Sequence, residues 1–262
     1  MSFYTPSAFL SGISPDVRAS LLKHASAVDL PLDTILYEGG TTPHYAHFLL
    51  SGVASVVTLM ADGESAEVDF IGNEGVIGGL HLLGSAPISC RCIMQLPGAA
   101  LRIPYQQLQH AFINSPEVHA RVLEFVQQEA SAMAQIAGCN RLHSAEQRLS
   151  RWLLMAQDRT GSESLGFTHH YLAQMVGAQR STVTVIAGEL QERGLIRYSR
   201  GIIHVLDRPG LERSACPCYP VLRNLLKGLY SEDGVFTTRA MPVQASSSSR
   251  LSGISFASSS VE

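Results

Sequence analysis

The chain of 262 residues has no apolar run approaching the roughly 18 residues of a helical membrane span, and its N-terminus lacks a basic segment leading into an apolar core. Those two absences argue against membrane insertion and export, and predict a cytosolic protein. Cysteine is scarce, with five in all. An odd number in a chain without an export signal reads as reduced thiols and not as a disulfide framework. No Ser-His-Asp order and no paired carboxylates stand out, so the usual signs of hydrolytic catalysis are missing. A large excess of one charge is missing too, since the formal net charge is −3. That small figure hides a division: residues 141–213 hold ten Arg against seven Asp or Glu, a net of +3, whereas residues 1–140 hold five basic and twelve acidic residues, a net of −7. The basic half is where a polyanion would be met.

What is present concentrates between Phe167 and Asp207. Thr168 can cap a first short helix whose apolar face is Leu172, Ala173, Met175 and Val176, and Gly177 stops it. A second helix is predicted from about Arg180 to Arg193, with Val183, Ile186, Ala187 and Leu190 at i, i+3, i+4 and i+7 toward the core. Its opposite face carries Ser181, Val185, Gly188 and Glu192, flanked by Thr184. Gly188 costs a helix about 1 kcal/mol relative to alanine, which suits close approach of DNA or of a neighbouring helix. Ile196 to Val205 then reads as a hairpin with Arg200 at its tip. These are the parts of a winged helix-turn-helix. Arg180 would reach guanine, Ser181, Thr182 and Thr184 would meet phosphates or base edges, and Arg200 would lie on a phosphate. Thr168, His169, Gln179, Val185 and Gly188 complete the predicted DNA-binding set. By periodicity alone, two such helices also fit an ordinary helical core.

The length suits two domains. Residues 1–29 look helical and loop-like, with Pro15 near a helix start. From Leu30 to about Ile103, short β-rich runs alternate with glycine, and Asp62-Gly63 is a strong hairpin signal, which together predict a β-barrel or jelly roll. A long helix follows from about Pro116 to Ala137, and another over 145–158 with Leu149, Trp152, Leu153 and Ala156 inward. The fold class is therefore α+β. The Ser-rich end predicts a disordered tail.

In this order, the segments Tyr37-Glu38-Gly39-Gly40, Phe48-Leu49-Leu50-Ser51-Gly52, Gly72-Asn73-Glu74-Gly75, Gly78-Gly79-Leu80, Leu172-Ala173-Gln174-Met175-Val176-Gly177, Arg180-Ser181-Thr182-Val183 and Gly194-Leu195-Ile196 resemble the Crp/Fnr family of bacterial transcription regulators. The resemblance covers roughly residues 30–207. It implies a cyclic-nucleotide-binding-like sensor domain over 1–115, a dimerisation helix over 116–140 and a winged helix-turn-helix over 141–213. An extension over 214–235 and the tail over 236–262 follow. It also implies a homodimer joined through Val118, Val122, Phe125, Met133 and Ile136, a palindromic operator in duplex DNA, and RNA polymerase as a protein partner.

An effector is not implied. Relatives that bind cyclic AMP use a Gly-Glu-Leu segment and an Arg-Ser-Ala segment, whereas this chain has Gly78-Gly79-Leu80 and Ile88-Ser89-Cys90, with Arg91 displaced by two. The residues that would line an altered pocket are Gly72, Glu74, Gly78, Gly79, Leu80, Ser89, Cys90 and Arg91. A desolvated phosphate without its arginine is costly, so cyclic AMP is not expected. Iron-sulfur sensing, which in the family uses cysteines near the N-terminus, is not expected either, because none precedes Cys90. Thus no cofactor and no metal are predicted. Thiol chemistry at Cys90, Cys92, Cys216 and Cys218 remains open. The alternative reading is a barrel metalloenzyme with structural C-terminal helices, but His44 and His47 lack the spacing of a metal-binding barrel and read as surface or loop residues.

Overall fold

Short runs of β-branched and aromatic residues, each ended by glycine or a polar turn, build the N-terminal half. The computed structural model describes residues 7–60 and 65–230, with residues 169 and 170 as backbone. Two short helices, α1 (Ala8–Ser11) and α2 (Pro15–Leu21), precede seven strands: β1 (Ser26–Leu30), β2 (Ile35–Tyr37), β3 (Tyr45–Leu49), β4 (Val53–Leu59), β5 (Ser65–Ile71), β6 (Cys90–Leu96) and β7 (Gly98–Pro104). They pair antiparallel in two sheets, of order β1-β7-β3 and β2-β6-β4-β5. Phe48, Leu49, Ala100 and Ile103 of the first sheet share one core with Val56, Ile71, Cys92 and Met94 of the second. The roll is jelly-roll-like and does not close into a barrel. At one corner Gly52 adopts φ +80°, and a Cβ there would lie 2.7 Å from the Leu96 carbonyl oxygen, so only glycine lets the two turns pass. Strand β1 begins inside the stretch expected to be helix and loop. The Asp62-Gly63 turn lies outside the described residues, although β4 and β5 on either side pair in register at Leu59 and Ser65.

Helix α3 (Tyr105–Asn114), which the periodicity did not reveal, leads to α4 (Pro116–Leu142). Ser115 caps α4 by accepting from the Val118 N–H at 3.3 Å, and Pro116 opens its first turn. At 27 residues it is about 40 Å long and passes the expected end at Ala137. Gly138 weakens it, but burial of Cys139 carries the helix onward. Its inner stripe, Val118, Val122, Phe125, Val126, Ala132 and Ile136, is buried. Replacing Phe125 with alanine would cost about 3–5 kcal/mol.

After a capping box at Ser144 and Gln147, α5 (Ala145–Thr160) enters a second core with β8 (Ser164–Gly166), α6 (His169–Val176), α7 (Arg180–Glu192), β9 (Ile196–Ser199), β10 (Ile202–Val205) and α8 (Arg208–Ser214). Helix α9 (Cys218–Gly228) packs against α4. Beyond it, Tyr230 returns to the roll, its hydroxyl donating to the Glu74 carbonyl at 2.7 Å and its N–H to Glu124 at 2.8 Å. The extension expected over 214–235 is thus structured as far as Tyr230. Residues 231–235 and the tail lie outside the described residues. No described helix is long and apolar enough to cross a membrane.

Buried polar groups tie the two cores together. Trp152 donates to Glu67 at 2.7 Å and stacks on Phe70, while Arg159 forms a buried ion pair with Glu74 at 2.8 Å and lies over the Phe70 ring. Burial pushes the Glu67 and Asp69 carboxyls up to about 7. Both groups hold protons more tightly folded than unfolded. Their contribution to stability is therefore complete below the ordinary carboxylate range and is lost as pH rises through about 7. Thermal melts should show a falling midpoint from about pH 5 to about pH 8, and Glu67→Gln should flatten the slope. A midpoint that rises over that interval would contradict the buried neutral carboxyls.

Candidate nucleic-acid interface

Helix α6 starts at Thr168, whose hydroxyl accepts from the Tyr171 N–H at 3.3 Å, and ends at Gly177 with φ +59°. Three residues later α7 begins at Arg180. Val183, Ile186, Ala187 and Leu190 are buried, as the spacing requires, so α7 is anchored by one face. The other face is open: Arg180, Ser181, Thr182, Thr184, Val185, Gly188, Glu189 and Glu192 are exposed, and Val185 is 60% exposed. An isolated aliphatic side chain on such a face suits contact with a thymine methyl. A Cβ built on Gly188 meets nothing within 4 Å, so no neighbouring helix requires that glycine. Thr168 and Gln179 are exposed at the two helix starts, and the His169 side chain lies outside the described residues.

The wing is a three-stranded sheet of order β8-β10-β9, with β8 an addition that sequence reasoning missed. Ser199 faces Ile202 across a two-residue turn in which Arg200 and Gly201 have φ +50° and +79°. Such positive values at both positions turn a tight hairpin and leave the Arg200 side chain at its tip, exposed.

The basic excess of this half divides into two uses. Arg148, Arg151, Arg159, Arg193 and Arg208 are spent internally: Arg151 and Arg159 are buried, and Arg193 and Arg208 are paired with Glu146 and Asp158. Arg141, Arg180, Arg197 and Arg200 are exposed and make no ion pair among the described residues. Three of these lie on α7 and the wing. Arg197, on β9, was not singled out by the sequence, because only pairing of β9 with β10 shows that it shares the ribbon with Arg200.

Several of the residues expected to line an effector pocket are engaged by other groups of the protein. Arg91 is paired with Glu38 at 2.8 Å, Ser89 is exposed, Cys90 is half-buried, and Glu74 is committed to Arg159. Gly72 is closed over by Glu74 and Arg159, and Gly78 with φ +102° only turns the chain into the short 3-10 turn Gly79–Leu82. A Cβ on Gly79 would meet Val76 at 3.3 Å and then Val126 and Phe125, leaving apolar surroundings where a ribose partner would be needed. Leu80 packs against the same core. Asp69, Glu74 and Glu129 are buried and electrostatically linked, and burial raises the Glu129 carboxyl well above its usual range. Burial thus favours the neutral acid at Asp69 and Glu129, while Glu74 holds Arg159.

Two further expectations change. Val118, Val122 and Phe125, expected on the dimer face, are buried against the roll of their own protomer, Ile136 is buried in the second core, and Met133 is half-buried against the roll. His47 is a buried strand residue whose imidazole burial lowers to about 4, and not a surface or loop residue as expected, whereas His44 is exposed.

Residues 27–115 match the cyclic nucleotide-binding domain and residues 147–214 the Crp-like helix-turn-helix domain. Over 197 residues the chain is 28% identical to the transcriptional regulator SdrP of Thermus thermophilus, covering 70% of this chain and 90% of that protein. Over 211 residues it is 21% identical to the CRP-like cAMP-activated global transcriptional regulator of Mycobacterium tuberculosis, covering 78% of this chain and 94% of the relative. Its fold is shared with a putative Crp/Fnr-family regulator from Eubacterium rectale, with TM-score 0.63, 18% identity and coverage of 78% and 95%. It is shared also with the c-di-GMP responsive regulator CLP of Xanthomonas campestris, with TM-score 0.62, 16% identity and coverage of 74% and 100%.

Proposed function

Since this chain belongs to the Crp/Fnr family and is a DNA-binding transcription regulator, we propose that it acts in the cytoplasm as a homodimer on an inverted-repeat operator, without control by cyclic AMP. The observation that carries the operator reading is the open face of α7 beside an arginine-tipped wing. Arg180 reads a base edge, Ser181, Thr182 and Thr184 hold phosphates or bases, Val185 offers apolar contact, and Arg197 and Arg200 lie on the backbone. Thr168 and Gln179 flank this surface, and Gly188 lets the backbone come close.

Dimerisation is assigned to the outer side of α4. Ala120, Leu123, Gln127, Ala130, Ala134 and Ala137 are exposed and recur in alternating steps of three and four, the repeat of a two-stranded coil. Small side chains there permit close approach of a second helix. A twofold axis along α4 sets two copies of α7 about 34 Å apart on one side of the duplex.

The surroundings of Gly79 and the pairing of Arg91 support independence from cyclic AMP. A cyclic nucleotide can shift the DNA-binding equilibrium only by its difference in affinity for the two arrangements. With an apolar-lined glycine at Gly79 and with Arg91 already paired to Glu38, neither a ribose partner nor a free phosphate partner is present there to supply such a difference. Calorimetry should therefore detect no cyclic AMP binding at micromolar concentration. Micromolar binding together with a tenfold gain in operator affinity, about 1.4 kcal/mol, would overturn that independence and leave the DNA interface standing.

A further inference from the structure

The five cysteines distribute unevenly: Cys90 and Cys92 lie in the roll, while the other three meet at one point far along the chain. Cys139 and His143 are one turn apart at the end of α4, and Cys216 and Cys218 flank Pro217, the residue that precedes α9, with Cys218 opening that helix. Their four ligand atoms lie within 4.8 Å of one another. The Cys139 and Cys216 sulfurs are 3.4 Å apart, and the Cys218 sulfur is 3.5 Å from His143 Nδ1. Two thiolates on a tetrahedral zinc ion are separated by about 3.8 Å, and a thiolate and an imidazole nitrogen by about 3.5 Å. All three cysteines are buried, and the Gln135 amide donates to the Cys218 sulfur at 3.0 Å, the kind of outer contact that orients a ligand.

A second observation concerns charge. Arg151 is 1% exposed, its Nε has no hydrogen-bond partner, and its Nη1 donates to the soft sulfur of Met155 at 3.3 Å. It makes no ion pair among the described residues, and it acts electrostatically on the Cys139 and Cys216 thiols and on the Glu67 carboxyl, which burial keeps toward its neutral form. A buried guanidinium needs a counter-charge. A zinc ion with three thiolates and a neutral imidazole carries one net negative charge and supplies it.

We infer that Cys139, His143, Cys216 and Cys218 form a structural zinc site that clasps the end of the DNA-binding module to the end of α4. The site closes tetrahedrally with four protein ligands, leaves no position for substrate, and favours zinc by its sulfur-rich donor set. It spans the junction between α4 and the DNA-binding module, so binding of the ion restricts how that module sits on the dimer helix. The ion is bound as the thiols release their protons, and no electron is exchanged.

The test uses the full-length protein purified without chelator. Elemental analysis should give about one zinc per chain after dialysis, and a mercurial thiol reagent should release it. Cobalt(II) added to the reduced, metal-free protein should develop the visible absorption of a tetrahedral ion and a thiolate charge-transfer band. Cys90→Ser should leave both intact, whereas Cys216→Ser should lose the tight site. If that variant fails to fold, the cobalt spectrum of the unsubstituted chain decides. Retention of less than a few tenths of a metal ion per chain with no charge-transfer band would overturn the assignment, as would a Cys139–Cys216 disulfide in protein isolated from the reducing cytosol. Each of these readouts is independent of operator binding.

Discussion

A full-length chain carrying Ala130→Glu and Ala134→Glu is expected to sediment as a folded monomer and to bind its operator about 10²-fold or more weakly than the unsubstituted protein. Both positions are exposed on the outer side of α4, so a carboxylate there costs the lone protomer little. In a dimer, two copies would bring four carboxylates to one seam. Loss of the dimer removes the effective concentration that links two half-sites, a factor on the order of 10²–10⁴. A charge on the inner stripe behaves otherwise. Val122 is fully buried against the roll, so Val122→Asp should unfold the N-terminal core and not merely separate the protomers. Sedimentation and circular dichroism distinguish these outcomes. An Ala130→Glu, Ala134→Glu protein that remains dimeric at micromolar concentration would place the interface elsewhere.

Arg180→Ala should have the second large effect, and it should be selective. Loss of a bidentate contact to guanine costs about 1–3 kcal/mol per half-site, so the dimer loses roughly 30-fold to 10⁴-fold on its operator and discriminates less at one base pair of each half. Because Arg180 makes no ion pair among the described residues, its removal should not disturb the fold. Arg200→Ala and Arg197→Ala should instead weaken operator and random DNA alike, and lower the slope of log affinity against log salt by about one for each phosphate no longer neutralised. Competition binding at two salt concentrations tells the two classes apart. Equal loss on operator and random DNA for Arg180→Ala would assign that arginine to the backbone.

The helix-turn-helix was legible in the sequence because its signals are local. A capping threonine, a glycine that must take positive φ and a four-residue apolar spacing each act within one or two helical turns, and α6, α7 and the wing fall where those signals place them. The order of strands and glycines likewise identified the roll and the family. Other features needed chain segments far apart in sequence. The apolar side of α4 was plain in the sequence, but a stripe of Val and Phe reads the same whether it meets a second protomer or its own sheet. Only the folded roll shows that Val118, Val122 and Phe125 are already covered, and that an alanine-rich side is left over.

The glycine that replaces a ribose-binding glutamate at Gly79 was visible in the sequence, whereas the apolar packing around it was not, since Val76 comes from the preceding loop and Phe125 and Val126 from α4. The cysteine pair at Cys216 and Cys218 was visible but uninterpretable alone. Only packing brings the Cys139 sulfur, 77 residues away in sequence, to 3.4 Å from that of Cys216 and sets His143 beside Cys218. Hydrophobic periodicity and turn chemistry are written in adjacent residues, so the sequence by itself determined which elements form and the chemical kind of partner they suit. Which face each element buries, and which side chains from distant segments share a site, depends on packing among elements, and the tertiary structure alone decided it.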